Sequence, residues 1–240
     1  MISRLMPVAA SAHAGELDTI TLLVHFLMAA LLIGWGTFFA FTLIRFRRSR
    51  QPRADHIGVR GRTSTWVEAA VVLAELLLLV GFSIPAWATR VRDIPRDDSA
   101  LVVRVVAEQF AWNVHYPGRD RRFGRTLPSL VSAENPIGLD SSSAGAADDI
   151  VTANDLVVPL GRPVVVQLSA KDVIHSFGVP AMRVKQDAIP GIPTTVWFTP
   201  TRLGAFDVAC SQLCGVGHYR MRAVVRVLSD VGFEAWLNRR

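Results

Sequence analysis

Two long apolar stretches occupy the N-terminal part of the chain. Residues 19–44 carry no charged side chain, and residues 65–89 are apolar apart from a few polar positions, which include Glu68 near their start and Glu75 inside. About 20 consecutive apolar residues are enough for a helix to cross the hydrocarbon core of a bilayer. The pattern therefore predicts a hairpin of two transmembrane helices, over residues 19–46 and 65–89. Because a charge inside a span is costly, we expect Glu75 to face a partner helix or to take up a proton.

The segment between the two apolar stretches is strongly basic. Residues 45–62 contain seven arginines and a single acid, Asp55, whereas the outer flanks of the hairpin are mixed in sign. Cytoplasmic loops beside membrane helices carry an excess of lysine and arginine. Residues 47–64 are therefore predicted to form a cytoplasmic loop, which places the N-terminus and everything after the second helix on the outer side.

The remaining residues, 91–240, form a pattern of short β-rich runs separated by turn residues. The runs are LVVRVVA, QFAWNVHY, DLVVPL, PVVVQLSA, TTVWFTP, GAFDVA and MRAVVRVL. Several short strands with glycine, proline and aspartate between them are typical of an antiparallel sandwich or barrel. At the C-terminus, Asp230 is predicted to cap a short helix. Its Phe233, Trp236 and Leu237 recur at helical spacing and are expected to pack on the domain.

Two segments lack a clear periodic pattern. Residues 1–18 contain a small-residue stretch and an Ala-x-Ala sequence that ends at Ala14, so they are interpreted either as a disordered tail or as a cleaved signal segment. Residues 118–149 contain RDRRFGR, ENPIG and SSSAGAADD, and they are predicted to form an irregular surface excursion over the β-domain.

The composition reflects the membrane topology. Hydrophobic residues make up 50% of the chain, and the formal net charge is +6. The apolar residues lie largely in the two predicted spans, and the positive charge is concentrated in the loop between them. Because this arrangement accounts for the charge, we predict no interaction with nucleic acid.

One run near the C-terminus combines four side chains that bind soft metal ions. The run CSQLCGVGHYRM carries Cys210, Cys214, His218 and Met221, and its cysteines are the only two in the chain. Thiolate, imidazole and thioether ligands favour copper over magnesium, calcium or manganese. A mononuclear blue-copper site uses one cysteine and two histidines, so the second cysteine is surplus to that site. Two thiolates could instead bridge two copper ions, each of which would need its own histidine.

The second histidine has to come from outside this run. The other histidines are His13, His25, His56, His115 and His175. The first three fall in the predicted tail, membrane span and cytoplasmic loop. His175 lies in KDVIHSFGVP, which is interpreted as the end of a strand, and it is favoured over His115, which comes just before a Pro-Gly turn.

The order of motifs along the chain resembles that of subunit II of the haem-copper cytochrome c oxidases of bacteria. The shared features are the two N-terminal spans followed by QFAWNVHYPG, DVIHSFGVP, KQDAIPG and CSQLCGVGHYRM. The resemblance implies a Greek-key cupredoxin domain that carries the dinuclear copper centre known as CuA. The ligands that it implies are the thiolates of Cys210 and Cys214, the imidazoles of His175 and His218, the Gln212 backbone carbonyl and the Met221 thioether.

This sequence departs from the common family pattern at two places. Relatives usually carry a glutamate between the cysteines that helps to hold magnesium against subunit I, but Gln212 offers no carboxylate, so the magnesium site is not carried over. Many relatives have a tryptophan directly after the glutamine as the port for electrons, whereas this chain has Phe110 there and Trp112 two positions on. Both aromatic residues are therefore candidates for the electron port. Glu68 resembles the subunit II glutamate at the mouth of a proton channel.

The resemblance also implies a function and a set of partners. Cytochrome c would pass single electrons to the copper pair, which would relay them to haem in subunit I, where oxygen is reduced to water with proton pumping. A subunit III is expected in the same complex, in the bacterial cell membrane. The chain contains no CxxCH, so no haem is expected on it. Acidic residues are predicted to contact a basic face of cytochrome c, namely Glu134, Asp140, Asp148 and Asp149.

Three other classes of protein remain as alternatives. A membrane-tethered copper chaperone or thiol oxidoreductase would use the two cysteines for delivery or as a disulfide, but His218 and Met221 would then be unexplained. The corresponding subunit of a quinol oxidase shares the fold and lacks the copper ligands. A membrane nitric oxide reductase with a similar small subunit is also compatible with the sequence.

Overall fold

The computed structural model describes residues 6–53, 56, 61–95 and 99–238. They form two compact units, one of Glu16–Arg92 and the other of the described residues in Met1–Gly15 and Asp93–Arg240. Part of the predicted N-terminal segment, residues 1–5, and part of the predicted cytoplasmic loop, residues 54–55 and 57–60, lie outside the described residues.

The first unit consists of two apolar helical rods. Helix α1 spans Ala14–Arg45, and the second rod contains α2 (Thr63–Leu78), a π-helical turn (Leu79–Ser83) and α3 (Ile84–Arg92). Both rods are long and apolar enough to cross a membrane. Helix α1 begins before the predicted boundary at residue 19, because Glu16 is accommodated in its first turn, where the helix dipole favours a carboxylate.

The second unit is a sandwich of two five-stranded sheets with a short C-terminal helix. The strands are β1 (Leu101–Glu108), β2 (Ala111–Tyr116), β3 (Ile150–Ala153), β4 (Asp155–Pro159), β5 (Val164–Ala170), β6 (His175–Val179), β7 (Val184–Ala188), β8 (Thr194–Phe198), β9 (Gly204–Cys210) and β10 (Arg222–Leu228), followed by α4 (Asp230–Leu237). One sheet has the order β3-β2-β1-β5-β8 and the other β4-β10-β9-β6-β7. The predicted architecture, a helical hairpin followed by a β-sandwich and a short helix, is thus confirmed.

Side chains that alternate along the strands fill the space between the sheets. In β1, Val103, Val105 and Ala107 are fully buried, and the residues between them are only partly buried. Successive side chains of a strand point to opposite faces, so this alternation places one face on the core. Trp112 and Phe177 are also buried, and their rings meet edge to face with centroids 5.5 Å apart. One candidate for the electron port, Trp112, is therefore a core residue.

The sheets differ from the sequence-based expectation in pairing and in strand number. β1 pairs with β5 and β10 pairs with β4 in parallel, so each sheet is mixed. The pattern does not predict β3, which has only four residues, or β7, which carries the polar run Lys185, Gln186 and Asp187. His175 begins β6, whereas the pattern predicts that it ends a strand.

The N-cap of the C-terminal helix lies one residue before the predicted cap. Ser229 is the N-cap, and its hydroxyl oxygen accepts a hydrogen bond from the Gly232 N–H, while the predicted cap Asp230 is the first helical residue. A hydroxyl at the N-cap satisfies one of the free N–H groups of the first turn. Phe233 is buried, and Trp236 and Leu237 pack against the core as predicted.

Residues 7–14, which we call the N-terminal strap, pack on the β-domain. Ala10 N donates to the Ala181 carbonyl, and Thr201 N donates to the Ala10 carbonyl, each at 2.8 Å. The Ser11 hydroxyl donates to the buried Met182 carbonyl at 2.7 Å. Ala10 is fully buried. The interpretation of these residues as a disordered tail is therefore wrong.

The excursion over residues 118–149 is irregular, as predicted, but hydrogen bonds tie it to the domain. The Asp148 carboxylate accepts from Arg119 N. The Asp149 carboxylate accepts from Gly124 N and lies 2.6 Å from Nε2 of His115, which belongs to β2. Within the described chain, both ends of the excursion are thus held by its last two acids.

Candidate metal centre

Two neighbouring strands bring His175 and Cys210 together. β6 lies between β7 and β9, and its Phe177 is paired with Cys210, the last residue of β9. His175 begins β6, and its side chain is fully buried. The site is therefore built from the start of one strand and from the loop that follows the end of its neighbour.

The loop after β9 folds back on itself before it enters β10. Cys210 N donates to the Met221 carbonyl at 3.2 Å, and Ser211 N donates to the Ser176 carbonyl at 2.9 Å. A 3₁₀ turn at His218–Arg220 returns the chain to the sheet. Gly215 has a φ of +130°, a conformation that residues with a Cβ rarely adopt, so glycine is favoured at this bend.

The predicted side-chain ligands form a continuous series of close neighbours. His175 Nδ1 lies 4.0 Å from Cys210 Sγ, which lies 3.7 Å from Cys214 Sγ. Cys214 Sγ lies 3.6 Å from His218 Nδ1 and 3.7 Å from Met221 Sδ. Both cysteines are buried and free. The ligand atoms of His175, Cys210 and Cys214 all lie within 4.8 Å of one another.

This donor set fits a pair of soft cations. Each thiol has its own imidazole nitrogen and one further weak donor. For Cys210 the weak donor is the Gln212 carbonyl oxygen at 3.1 Å, and for Cys214 it is the Met221 thioether. Sulfur and imidazole ligands are the ones that copper prefers, whereas magnesium and calcium require oxygen. Gln212 is exposed and offers no carboxylate.

Asp172 and Gln109 contact the ligand-bearing segments, and neither is predicted from the sequence as a site residue. His175 Nε2 lies 2.8 Å from Asp172 Oδ1, so the other ring nitrogen is directed to Cys210. Gln109 N donates to Asp172 Oδ2 at 2.7 Å, and Gln109 Nε2 donates to the Cys214 carbonyl at 2.6 Å. The only sequence signal is that Asp172 comes three residues before His175. Gln109 has none, because the cysteine it contacts is 105 residues away.

The protonation of the site follows from burial and from hydrogen bonds. Burial, and then the neighbouring Cys210, raise the pKa of the Cys214 thiol to about 11. Burial opposes ionisation of Asp172, but hydrogen bonds from His175 and from the Gln109 N–H hold its pKa below the ordinary value of 3.8. Metals bind thiolates, so metal binding at this site releases protons.

The two aromatic candidates occupy different positions beside the loop. Trp112 is fully buried, and its ring centroid lies 6.1 Å from that of His175. Phe110 is partly buried and lies against the loop, where a Cβ at Gly217 would come within 2.6 Å of Phe110 Cε2. Close approach of Phe110 therefore depends on glycine at position 217. The structure brings Trp112 to a predicted ligand and Phe110 to the cysteine loop.

The acids predicted to contact cytochrome c are largely used within the domain. The Asp149 side chain is fully buried against His115. The Asp140 side chain is 11% exposed and pairs with Arg125, and hydrogen bonds from Ser142 and Arg125 lower the pKa of Asp140 to about 2. A docking role is therefore wrong for Asp149, whose carboxylate a partner could not reach, and it stays a prediction for the other three acids.

Glu68 lies in the other unit, on α2, and it is exposed in the isolated chain. Its assignment to a proton channel stays a prediction, and so does the role of Glu75, which is also exposed.

Fold and site together define a membrane-anchored, cupredoxin-like protein with a candidate soft-metal centre. The sequence profile of the family described as "Cytochrome C oxidase subunit II, periplasmic domain" matches residues 101–228. The chain belongs to the cytochrome c oxidase subunit II family. It is similar to the alternative cytochrome c oxidase subunit 2 of Bradyrhizobium diazoefficiens, with 35% identity over 201 residues that cover 83% of this chain and 71% of the relative.

Two further proteins are similar to this chain. Cytochrome c oxidase subunit 2 of Cereibacter sphaeroides is 32% identical over 243 residues, which cover 96% of this chain and 76% of the relative. Among solved structures, the periplasmic domain of subunit II of the cytochrome oxidase of Bradyrhizobium japonicum is 31% identical. It covers 61% of this chain and 95% of its own, with a TM-score of 0.45.

Family membership confirms the predicted resemblance. The chain is a membrane protein and a subunit of a terminal oxidase complex, from a copper-binding family whose profile describes a periplasmic domain. The His175, Cys210 and Cys214 cluster lies in that domain. A copper chaperone or a thiol oxidoreductase is no longer needed to explain the cysteines.

Proposed function

We propose that this chain accepts electrons from cytochrome c through a dinuclear copper centre and passes them to haem in subunit I. Oxygen would be reduced to water there, with proton pumping. The observation that carries the proposal is the donor series from His175 through Cys210 and Cys214 to His218, with 3.7 Å between the two sulfur atoms. The Gln212 carbonyl and the Met221 thioether complete the proposed ligand set.

Two bound copper ions would supply a one-electron couple whose charge is shared between both metals. The role of the protein is to hold the ligands in one geometry. His175 and Cys210 belong to hydrogen-bonded strands, and the loop between Cys210 and Met221 is closed by a backbone hydrogen bond. Ligands on rigid elements move little when an electron arrives or leaves, so the reorganisation barrier stays low. Burial of both sulfur atoms and of Met221 keeps water away.

The electron port is assigned to Phe110 and Trp112. Phe110 is partly exposed beside the cysteine loop, and Trp112 lies edge-on to the His175 ring. The two residues therefore offer aromatic contacts from the domain surface to a copper ligand. Substitution of Phe110 by leucine is expected to slow electron uptake from cytochrome c while the copper content stays unchanged. Stopped-flow reduction of the centre measures this rate.

The tip of the cysteine loop supports a partner on this side of the domain. Leu213, Val216 and Tyr219 are 80%, 94% and 82% exposed. An exposed apolar cluster of this kind marks a surface that a partner covers. We assign it to the contact with the other oxidase subunits or with cytochrome c. Subunit I is the required partner because it receives the electron, and subunit III is included on family resemblance.

The proposed topology places the copper domain, residues 91–240, and both termini on the periplasmic side of the cell membrane. It is supported by the arginine-rich segment between the helical rods, which the positive-inside rule assigns to the cytoplasm. Residues 19–46 and 65–89 would span the membrane on either side of the loop at 47–64. Glu68 would then lie near the cytoplasmic surface, where a proton path could begin.

The proposal is tested by metal analysis and electron paramagnetic resonance on the purified oxidase complex. We expect two copper atoms per copy of this chain, apart from the copper of subunit I, and a signal from one unpaired electron shared between two copper nuclei. The Cys214→Ser variant is expected to lose the shared signal, while the haem spectrum of the complex persists. A disulfide in active wild-type material, or a single copper per chain at this site, would refute the proposal.

A further inference from the structure

The geometry points to Asp172 and Gln109 as a positioning clasp that sets the spacing between the two segments that carry the copper ligands. The inference rests on the proposed copper centre and concerns two residues outside its ligand set. Three hydrogen bonds join His175 to Asp172, Asp172 to Gln109, and Gln109 to Cys214. The clasp therefore begins at one predicted ligand and ends on the backbone of another.

The first part of the clasp controls the His175 ring. Asp172 Oδ1 accepts from His175 Nε2 at 2.8 Å and from Val173 N at 2.7 Å. A carboxylate can only accept, so Nε2 carries the proton and Nδ1 keeps the lone pair that a metal requires. Nδ1 is the nitrogen that faces Cys210 Sγ. Asp172 thus selects the tautomer and fixes the rotation of the ring.

The second part of the clasp reaches the middle of the cysteine loop. Gln109 directly follows β1, its N–H donates to Asp172 Oδ2, and its side-chain amide donates to the Cys214 carbonyl. Bonds from Ser211 and Cys210 hold the two ends of the loop. The Gln109 amide adds a tie at the residue that carries the second bridging thiol.

Close packing shows that this contact is built into the fold. A Cβ added at Gly215 would lie 2.7 Å from Gln109 Nε2 and 3.3 Å from Phe110 Cζ. Real Cβ atoms almost never approach as closely as 2.7 Å. The loop therefore needs glycine at position 215 for Gln109 to reach the Cys214 carbonyl.

The expected size of the effect follows from other metal sites. Removal of a residue that orients a metal ligand typically lowers metal affinity by about 10- to 100-fold. A centre with two ions depends on the spacing of both thiols and both imidazoles. Loss of the clasp should therefore speed copper release and disturb the sharing of the electron between the two ions.

The test compares Gln109→Leu, Asp172→Asn and the double variant in the intact oxidase complex. Both carboxylate oxygens of Asp172 accept hydrogen bonds from N–H groups. Asparagine has only one acceptor oxygen in its side chain, so Asp172→Asn breaks one of these bonds. We measure the rate of copper loss to a chelator and the copper hyperfine pattern. Each single variant is expected to release copper about 10-fold faster or more, with an altered hyperfine pattern. Gln167→Leu is the matched control, because Gln167 on β5 contacts Arg104 instead.

The double variant separates a clasp from two unrelated contacts. Because the bonds lie in series, breaking the second link adds little once the first is broken, and the double variant should resemble Asp172→Asn. Fold-changes that multiply in the double variant would overturn the clasp, and so would a Gln109→Leu protein that matches wild type in both measurements. Wild-type complex without two coppers on this chain would instead contradict the proposed function, and the clasp would fall with it.

Discussion

Two histidines of the β-domain have nearly the same immediate surroundings, although only one of them faces cysteines. His175 and His115 are both buried, and each has its Nε2 within hydrogen-bond distance of a carboxylate, Asp172 at 2.8 Å and Asp149 at 2.6 Å. Both are candidates for the second copper ligand on sequence grounds. An imidazole fixed by a carboxylate is therefore not a sufficient sign of a metal site.

The difference lies in what the rest of each ring meets. His175 directs Nδ1 toward Cys210 Sγ, at the end of a neighbouring strand. The His115 ring packs against Phe123, with centroids 4.9 Å apart, and Phe123 also carries the Arg104 guanidinium 4.0 Å above its ring. The pair of His175 and Asp172 positions a predicted metal ligand. The pair of His115 and Asp149 instead attaches the excursion over residues 118–149 to β2.

The largest expected effect comes from removing the thiol that distinguishes the first region. In Cys214→Ser, the chain keeps the His175 pair and its hydrogen-bonded strands, but it loses one of the two sulfur atoms of the proposed copper centre. We expect turnover with cytochrome c to fall to the background rate while the subunit still assembles. Oxygen consumption by the purified complex measures turnover, and its haem spectrum reports assembly. Steady-state turnover at the wild-type level would count directly against the copper relay.

The second effect concerns stability at the other histidine. His115→Ala removes the imidazole that hydrogen-bonds to the fully buried Asp149 carboxylate, and loss of one partner of a buried hydrogen bond costs about 1 to 3 kcal/mol. We expect a lower thermal midpoint for the subunit, with copper content per folded chain unchanged. The matched change His175→Ala should show the opposite result, with copper lost and a smaller loss of stability, because Asp172 is 31% exposed. Loss of copper in both variants would remove the distinction between the two regions.

Acid should also act on the excursion over residues 118–149, through His115. Burial, the main cause, holds the pKa of His115 below its ordinary value of 6.5. The unfolded chain therefore takes up this proton at a higher pH than the folded chain, and the free energy of unfolding falls as the pH drops below about 6.5. The decrease at this site ends once the pH passes the folded-state pKa.

Thermal unfolding of the copper-loaded complex at a series of pH values tests this sign. His115→Gln should flatten the decrease below pH 6.5, and His56→Gln, which changes an exposed histidine, should leave it unchanged. If the His115→Gln protein keeps the full wild-type slope, another group is responsible for the acid sensitivity.

The same comparison explains which features the sequence could predict. Cys210, Cys214, His218 and Met221 occupy one short run, so their spacing alone places soft ligands together. The structure brings them and His175 into one series, as the sequence analysis expects. The positions of strands could be predicted for the same reason. In β1, for example, buried and partly buried residues alternate, which is a local pattern.

Features that depend on contacts between distant parts of the chain could not be predicted from the sequence. Gln109 and Cys214 are 105 residues apart, and Ser11 and Met182 are 171 residues apart, so no local spacing links either pair. The sequence also presents Asp149 as one more loop acid, although the fold buries it against His115. Polar groups whose partners are set by tertiary packing are thus the least predictable part of this molecule.

The smallest expected effect tunes the copper region without dismantling it. In Met221→Leu, an apolar side chain of similar volume replaces the thioether that lies 3.7 Å from Cys214 Sγ. A weak thioether ligand tunes a copper centre more than it holds it, so copper content should be unchanged. Loss of a sulfur donor favours the reduced state, and the reduction potential should rise by an amount on the order of tens of millivolts, where about 59 mV is a tenfold change in a one-electron equilibrium. Onward transfer to haem should slow accordingly.

Met182→Leu is the matched control, because Met182 is equally buried but lies in the core beside the strap, where its carbonyl accepts from Ser11. Redox titration of the copper signal gives the potential, and an equal shift in both variants would show that general packing, and not the thioether, sets it.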